Sequence, residues 1–402
     1  MTGTFSYEGL FSAGSSDEAI GGSSHAKYDF AVAYPAPETL PLDGLVEGLR
    51  RGLEREGRDL AYYPVPLGSP ELRELVAEKL FNDRGFRVSP DQILLTHGSG
   101  EANVLVIQAL TNPGDTVITE EYVYTGTLRQ LRMHGADVVG TPIDDLGIIP
   151  EALDELIVRL SREGRRPKYL YTIPEFQNPT GSTLPVERRR EILEIASRHG
   201  MAIIEDDCYV DLRIEGETQP SFRSLDDSGR VIHVASFSKL LAPGLRMGYV
   251  TAPDEVLRRA HGFKTGGRSN QFTALAIEGY LREHLEEHKN NVRPLLREKR
   301  DAMVTALGEM FGGTGAKWSR PEGGCYVWLT MPEHVHVMEL QPVALEAGVG
   351  FVGGGAFAPN NNGDHCARLC FAYESPGKNR EGIELLARVF EENGAFRPAP
   401  GD

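Results

Sequence analysis

Apolar residues recur along this chain in two periods, and the alternation between them lays out its elements. Leu72, Leu75, Val76 and Leu80 share one face at helical spacing, with Ser69 placed as N-cap, Pro70 in the first turn and Gly85 at the end. Short apolar runs at 92–95, 116–119, 135–139, 169–173, 202–205 and 231–236 read as strands, while 186–199 and a segment opening at Gly100 read as helices. Strands alternating with helices predict a mostly parallel sheet covered on both faces. A long helical stretch from about 277 to 307 leads into a C-terminal region, where "GGCYVWL" and "CARLCFAY" alternate like strands of a smaller sheet. The first 26 residues are rich in Gly and Ser, and predict a mobile arm or a segment ordered only against another subunit.

Chemistry concentrates at the ends of three of these strands. After the 231–236 run comes Ser236-Phe237-Ser238-Lys239, with Arg246 seven residues beyond the lysine. Lysine is a poor core residue, so an ammonium here is paired, desolvated or covalently used. A Schiff base to pyridoxal 5'-phosphate (PLP) meets the last condition, with the hydroxyls and Arg246 as donors to its phosphate. A strand that simply ends in a solvated lysine is the alternative. The apolar run 202–204 delivers Glu205-Asp206-Asp207-Cys208-Tyr209 to a strand end, where open α/β sheets bind ligands. An acid there can pair with a protonated pyridine nitrogen, and a phenol three residues on can reach the ring oxygen. A metal site or a solvated acidic turn competes, but no nearby histidine supplies metal-ligand spacing, so no metal is expected. Phe176-Gln177-Asn178-Pro179-Thr180-Gly181 follows the 169–173 run and by itself is only a good turn.

Taken together, Asn178-Pro179-Thr180-Gly181, then Asp206 and Tyr209, then Ser236-x-Ser238-Lys239 with Arg246 resemble the PLP-dependent aminotransferases of fold type I, class I and II. The forms "PxFQNPTG" and "SFSKxLxPGLRxG" are similar to the 2-aminoadipate or aromatic aminotransferase subgroup and to the catalytic domains of MocR-type regulators. The likeness runs from about Tyr62 to Tyr373. It implies a large domain with a mostly parallel seven-stranded sheet over residues 56–290. A smaller α+β domain would be built from 27–55 and 291–402. It also implies a homodimer with shared active sites.

The resemblance carries roles to further positions. Tyr124 matches the aromatic that stacks on the cofactor ring, with core packing as the alternative. Tyr63 matches the tyrosine that crosses the dimer interface to the partner's cofactor phosphate. Arg368, between Cys366 and Cys370, corresponds to the arginine that clamps the substrate α-carboxylate, and the two cysteines read as small buried fillers. In Thr96-His97-Gly98-Ser99-Gly100-Glu101, small residues let backbone amides approach an anion at a helix start, so Ser99 and Gly100 are the candidate phosphate cradle. Glu101 is expected on the solvent side of that start, and His97 as a packed residue. Lys239 would then hold PLP and, once released, shuttle the Cα proton. Asp206 would keep the pyridine protonated, and Tyr209 and Asn178 would bond the ring oxygen. The expected outcome is ping-pong transfer of an amino group between an amino acid and a 2-oxo acid.

Composition narrows the partners. Lys plus Arg of 42 against Asp plus Glu of 58 gives a net charge of −16, which argues against nucleic acid and anionic membranes. Four scattered cysteines make no disulfide framework and suit a reducing cytoplasm, and neither a transmembrane run nor a signal peptide is read. Two departures from the family pattern bear on the substrate. Phe30-Ala31-Val32-Ala33-Tyr34 replaces a usual Gly-Gly pair, which makes Tyr34 a candidate substrate contact. Arg268 lies in a glycine-flanked loop at the expected subunit boundary and is a candidate for a second polar group of the substrate, or a plain surface arginine. Because the carbanion formed at Cα can also expel a leaving group, a PLP-dependent lyase, replacement or carbon–carbon bond-forming enzyme is the alternative activity. A ligand-sensing domain of a MocR-type regulator is a third, disfavoured because no basic helix-turn-helix pattern precedes the Tyr63 motif.

Overall fold

The helix expected from the 72/75/76/80 stripe spans Pro70–Arg84 in the computed structural model, which describes residues 6–11, 25–360 and 362–397. The Ser69 hydroxyl accepts from the Leu72 amide, and Gly85 closes the helix at φ +74°, where glycine avoids the Cβ clash. Its four apolar residues are buried. The arm expected over 1–26 falls largely outside the described residues.

Seven strands form the main sheet in the order Ile93–Thr96, Gly248–Thr251, Val231–Ser236, Ala202–Asp206, Tyr169–Thr172, Thr116–Glu120, Asp137–Thr141. Only Gly248–Thr251 runs antiparallel to its neighbours. The other strands are parallel, so the segments carrying residues 97–99, 122–124, 173–178, 206–209 and 236–239 all emerge from one sheet edge. The strands Ile93–Thr96, Tyr169–Thr172 and Val231–Ser236 are buried along their whole length, as a sheet with helices on both faces requires, whereas the edge strand Asp137–Thr141 is half-buried.

The long helix runs further than its periodicity indicated, Gln271–Phe311 against about 277–307. Its true start is capped by Asn270, whose side chain accepts from the Thr273 amide. One half packs on the helix Leu42–Glu56, where Gly48 and Gly279 allow backbone contact: a Cβ on Gly279 would sit 2.7 Å from the Gly48 Cα. The other half packs on Pro376–Glu392, whose Leu386 and Phe390 share a buried cluster with Val327 and Leu369 of a four-stranded antiparallel sheet ordered Lys317–Trp318, Tyr326–Thr330, Cys366–Cys370, Val352–Gly353. The strand Tyr28–Asp29 joins this smaller unit by parallel pairing with Val349–Gly350. Leu45, from the helix that follows, is buried in the same cluster as Leu72, Ile277 and Tyr280. Among the described residues no helix is long and apolar enough to cross a membrane.

Candidate active site

Asp206 ends its strand 3% exposed, and one of its two oxygens is fully engaged. Oδ2 accepts from Tyr171 Oη at 2.7 Å and Asn103 Nδ2 at 3.0 Å, whereas Oδ1 is buried with no protein partner. Asp207, one residue on, engages other groups: its carboxylate meets Arg84 Nε at 2.8 Å and His233 Nε2 at 3.1 Å. The twofold period of an extended chain separates the two acids in this way. Arg84 holds Asp207 well below the usual carboxylate range against the cost of burial.

Lys239 Nζ donates to the Ala33 carbonyl, and burial pushes its pKa down from the ordinary value. Ser236 Oγ donates to Ser238 Oγ at 2.9 Å, and Arg246 reaches Ser238 Oγ at 3.5 Å and the His97 carbonyl at 3.1 Å. The helix Ser99–Leu110 starts one residue earlier than expected, with Gly98 as N-cap at φ +79°. A Cβ on Gly98 would lie 2.5 Å from an Arg246 nitrogen, and one on Gly248 would lie 2.7 Å from the Ser99 amide, so these glycines let arginine, strand and helix start converge. Ser99, Gly100, Ser236, Ser238 and Arg246 therefore surround one electropositive helix terminus. Glu101 differs from expectation. Its carboxylate folds back to accept from the His97 amide at 2.7 Å and from Lys264 Nζ at 2.5 Å. Burial alone would raise its pKa, but these two donors hold it below the ordinary value.

On the other side, Asn178 Nδ2 donates to Tyr209 Oη at 3.1 Å, and Arg368 Nη1 donates to Asn178 Oδ1 at 3.2 Å. Arg368 is 4% exposed; its Nη2 donates to the Ala31 carbonyl at 2.6 Å, and its Nε is buried without a partner. Tyr326 lies beneath the guanidinium, 4.5 Å from ring centre to Cζ. Tyr124 is 36% exposed; partial burial raises its pKa, and it feels the charges of Asp206, Arg246 and Arg368. Tyr34 sets its ring edge-on to Tyr373, with centroids 5.5 Å apart. Cys366 and Cys370 are buried beside Arg368 in its strand. Two candidates stand apart from this group within the chain. Tyr63 is 89% exposed, and Arg268 is exposed and donates to the Pro64 carbonyl next to it. Among the described residues no cluster of three or more His, Cys, Asp or Glu is arranged to hold a metal.

The profile of the family "Aminotransferase class I and II" matches residues 33–386. Aromatic-amino-acid aminotransferase 1 of Thermococcus litoralis is 35% identical over 365 residues, 90% of this chain and 87% of that one. This chain belongs to the class I and II aminotransferases. Among solved structures, the multiple substrate aminotransferase of Thermococcus profundus matches with a TM-score of 0.90 at 30% identity, over 96% of this chain and 99% of that one. The α-aminoadipate aminotransferase of Thermus thermophilus, in complex with N-(5'-phosphopyridoxyl)-L-leucine, matches with a TM-score of 0.84 at 33% identity, over 91% and 92%. The protein is thus a PLP-dependent transaminase of fold type I, and these named relatives favour transamination over the lyase alternative.

For this aminotransferase the residues present fit PLP. A buried carboxylate oxygen lacking a partner suits a pyridinium N–H, and a helix start lined by serines and Arg246 suits a phosphate dianion. Asn103 and Tyr171 were missed in the sequence. The signal for Asn103 was an amide set among the apolar residues Ala102, Val104, Leu105, Val106 and Ile107. Tyr171 looked like an ordinary strand aromatic, and nothing local distinguished it.

Proposed function

We propose that Lys239 carries PLP, that Asp206 Oδ1 receives the pyridinium N–H, and that Ser99, Gly100, Ser236, Ser238 and Arg246 hold the phosphate. The unpartnered, buried Asp206 oxygen carries this reading. Tyr124 stacks on the ring, and Asn178 and Tyr209 bond its phenolic oxygen. Bound PLP supplies an electron sink for the charge left when Cα loses its proton. The chain's residues do the rest. Arg368 offers its fork to the substrate α-carboxylate, with Nε still available for a bond. The lowered pKa of Lys239 favours the free amine, which would take the Cα proton and, with PLP bound, would be placed to give it back. Tyr171 and Asn103 fix the orientation of Asp206 through their bonds to Oδ2.

The substrates proposed are amino acids with an aromatic or long side chain and the matching 2-oxo acids. The similarity to aromatic and α-aminoadipate aminotransferases supports this, as does the Tyr34–Tyr373 pair. Tyr62, Tyr63, Val65, Phe263 and Phe272 are all strongly exposed, an apolar surface that suits a second copy of the chain and would bring Tyr63 to the partner's phosphate. Four free cysteines, three of them buried, suit a reducing cytoplasm.

The test is a panel of amino acids added one at a time to the purified yellow protein. Conversion of the cofactor to its amine form, with release of a 2-oxo acid, is expected for aromatic and long-chain donors. Release of a side-chain leaving group without that conversion would overturn the reading. Mixing Tyr63→Phe with Lys239→Ala subunits should restore part of the activity if sites are shared; no recovery after proven subunit exchange would refute the shared site.

A further inference from the structure

Behind the ring site lies a buried ionic cluster that none of the roles above uses. Glu175, with no solvent exposure, accepts from Arg189 Nη2 at 2.8 Å and from Arg213 Nη2 at 2.5 Å. Arg84 Nη1 lies 3.8 Å from the same carboxylate, while Arg84 Nε and Nη2 face the two oxygens of Asp207 at 2.8 and 3.4 Å. The Nε–H does not aim directly at its oxygen, so that contact is an ion pair rather than an aligned hydrogen bond. Arg84 is the last residue of its helix, where the terminal carbonyls favour a cation.

The two anions that Arg84 joins are adjacent to the two polar ends of the proposed ring site. Asp207 follows Asp206 directly. Glu175 precedes Phe176 and lies three residues before Asn178. Phe176 has φ +50°, a left-handed conformation that a bulky residue keeps only when its surroundings impose it. Here the surroundings are explicit. Arg213 lies 4.7 Å over the Phe176 ring, and the ring is pressed against Gly323, where a Cβ would come within 2.4 Å of it. Arg189 also donates to the Pro174 and Leu184 carbonyls, on either side of the turn.

Buried ion pairs are a weak source of stability, because apolar replacements of the same shape often serve as well. What a guanidinium between two carboxylates does supply is a fixed distance. We infer that Arg84 is a positioning residue, which sets the separation of Asp206 from Asn178 by tying Asp207 to Glu175. The inference rests on the reading that these two residues hold opposite sides of the cofactor.

The experiment compares Arg84→Lys, Glu175→Gln and Asp207→Asn with the wild-type holoenzyme. It measures the PLP dissociation constant, the absorbance spectrum of the bound cofactor, and the melting temperatures of the loaded and stripped proteins. Arg84→Lys keeps the charge but loses the fork. The expected result is PLP affinity lowered about tenfold or more and a shifted cofactor spectrum in Arg84→Lys and Glu175→Gln, with a melting loss greater in the loaded than in the stripped protein. The double variant Glu175→Gln/Asp207→Asn should lose less than the product of the single effects, since one link is cut twice. Wild-type affinity and spectrum in both Arg84→Lys and Glu175→Gln, with equal melting losses in loaded and stripped protein, would overturn the inference. If Arg84→Lys does not fold, Asp207→Asn decides, since it weakens the Arg84 link and leaves Glu175 with Arg189 and Arg213: the same loss of PLP affinity is expected, and wild-type affinity and spectrum would overturn the inference. Asp206→Asn serves as control: if it leaves Cα proton removal at wild-type speed, the underlying reading fails instead.

Discussion

Replacing Asp206 by asparagine tests the proposed electron-sink chemistry with little change in shape. The carboxamide oxygen can take the place of Oδ2 and keep the Tyr171 and Asn103 donors, which leaves an NH2 where the unpartnered Oδ1 now stands. An NH2 group cannot accept the pyridinium proton, and it donates to the ring nitrogen instead. An adjacent opposite charge supports a protonated group by roughly 1 to 3 pKa units, or about 1.4 to 4 kcal/mol. The protonated ring should therefore be depleted about 10-fold to 1,000-fold, and Cα proton removal should slow by a similar factor. Because the phosphate cradle is untouched, the cofactor should stay bound. Stopped-flow single turnovers with an α-deuterated donor measure the step, and the absorbance of the dialysed protein measures retention. A rate within about threefold of wild type would refute the reasoning, since the supposed loss of charge support is at least tenfold. Isotope-sensitive slowing in Asp207→Asn but not Asp206→Asn would place the ring acid one residue later.

Gly248→Ala should weaken both folding and PLP binding, because its Cβ would fall 2.6 to 2.8 Å from backbone atoms of Gly98, Ser99 and Ala235; overpacking of this kind costs about 1–3 kcal/mol, and an unchanged melting temperature would contradict it. Glu120 is buried under the 172–177 segment, where burial pushes its pKa up to about 7 despite bonds from Thr172 and Gln177. Its folded form keeps a proton that the unfolded chain releases, so stability should fall as pH rises from about 4.5 to about 7, by about 3 kcal/mol in all. Urea unfolding at pH 5 and pH 8 should show that loss in wild type and a flatter profile in Glu120→Gln; equal slopes would rule it out. Lys239→Ala should remove the yellow Schiff-base absorbance and all turnover, and a surviving borohydride-reducible adduct at the site would count against the lysine. Arg368→Ala should raise KM for every amino acid tested, whereas Arg268→Ala should affect only donors with an acidic or polar side chain. Identical kinetics for Arg268→Ala across that panel would return this residue to the surface.

How much of this was legible differs from residue to residue. The turn at Asn178, the acid and phenol at 206 and 209, and the serines around Lys239 stand in short segments at strand ends, and the period of the flanking residues exposes both strand and end. Glu101 shows the limit of that reasoning. A carboxylate beside a presumed phosphate site was expected to face solvent, but Lys264, far along the chain, meets it and turns it back toward His97. The start of the long helix was missed for a local reason: its capping Asn270 sits in a glycine-flanked stretch that resembles a loop.

The sequence by itself determined the alternation of strand and helix, the family, and which short motifs lie at strand ends, because these depend on propensity and period within a few residues. Only the tertiary structure decided which partners complete them. Tyr171 and Asn103 close on one oxygen of Asp206, and Arg84 joins Asp207 to Glu175, through contacts between residues tens to more than a hundred positions apart. A buried charge must find its counterpart wherever the packed strands and helices bring one, and that choice is made by the pairing of distant elements rather than by neighbours along the chain.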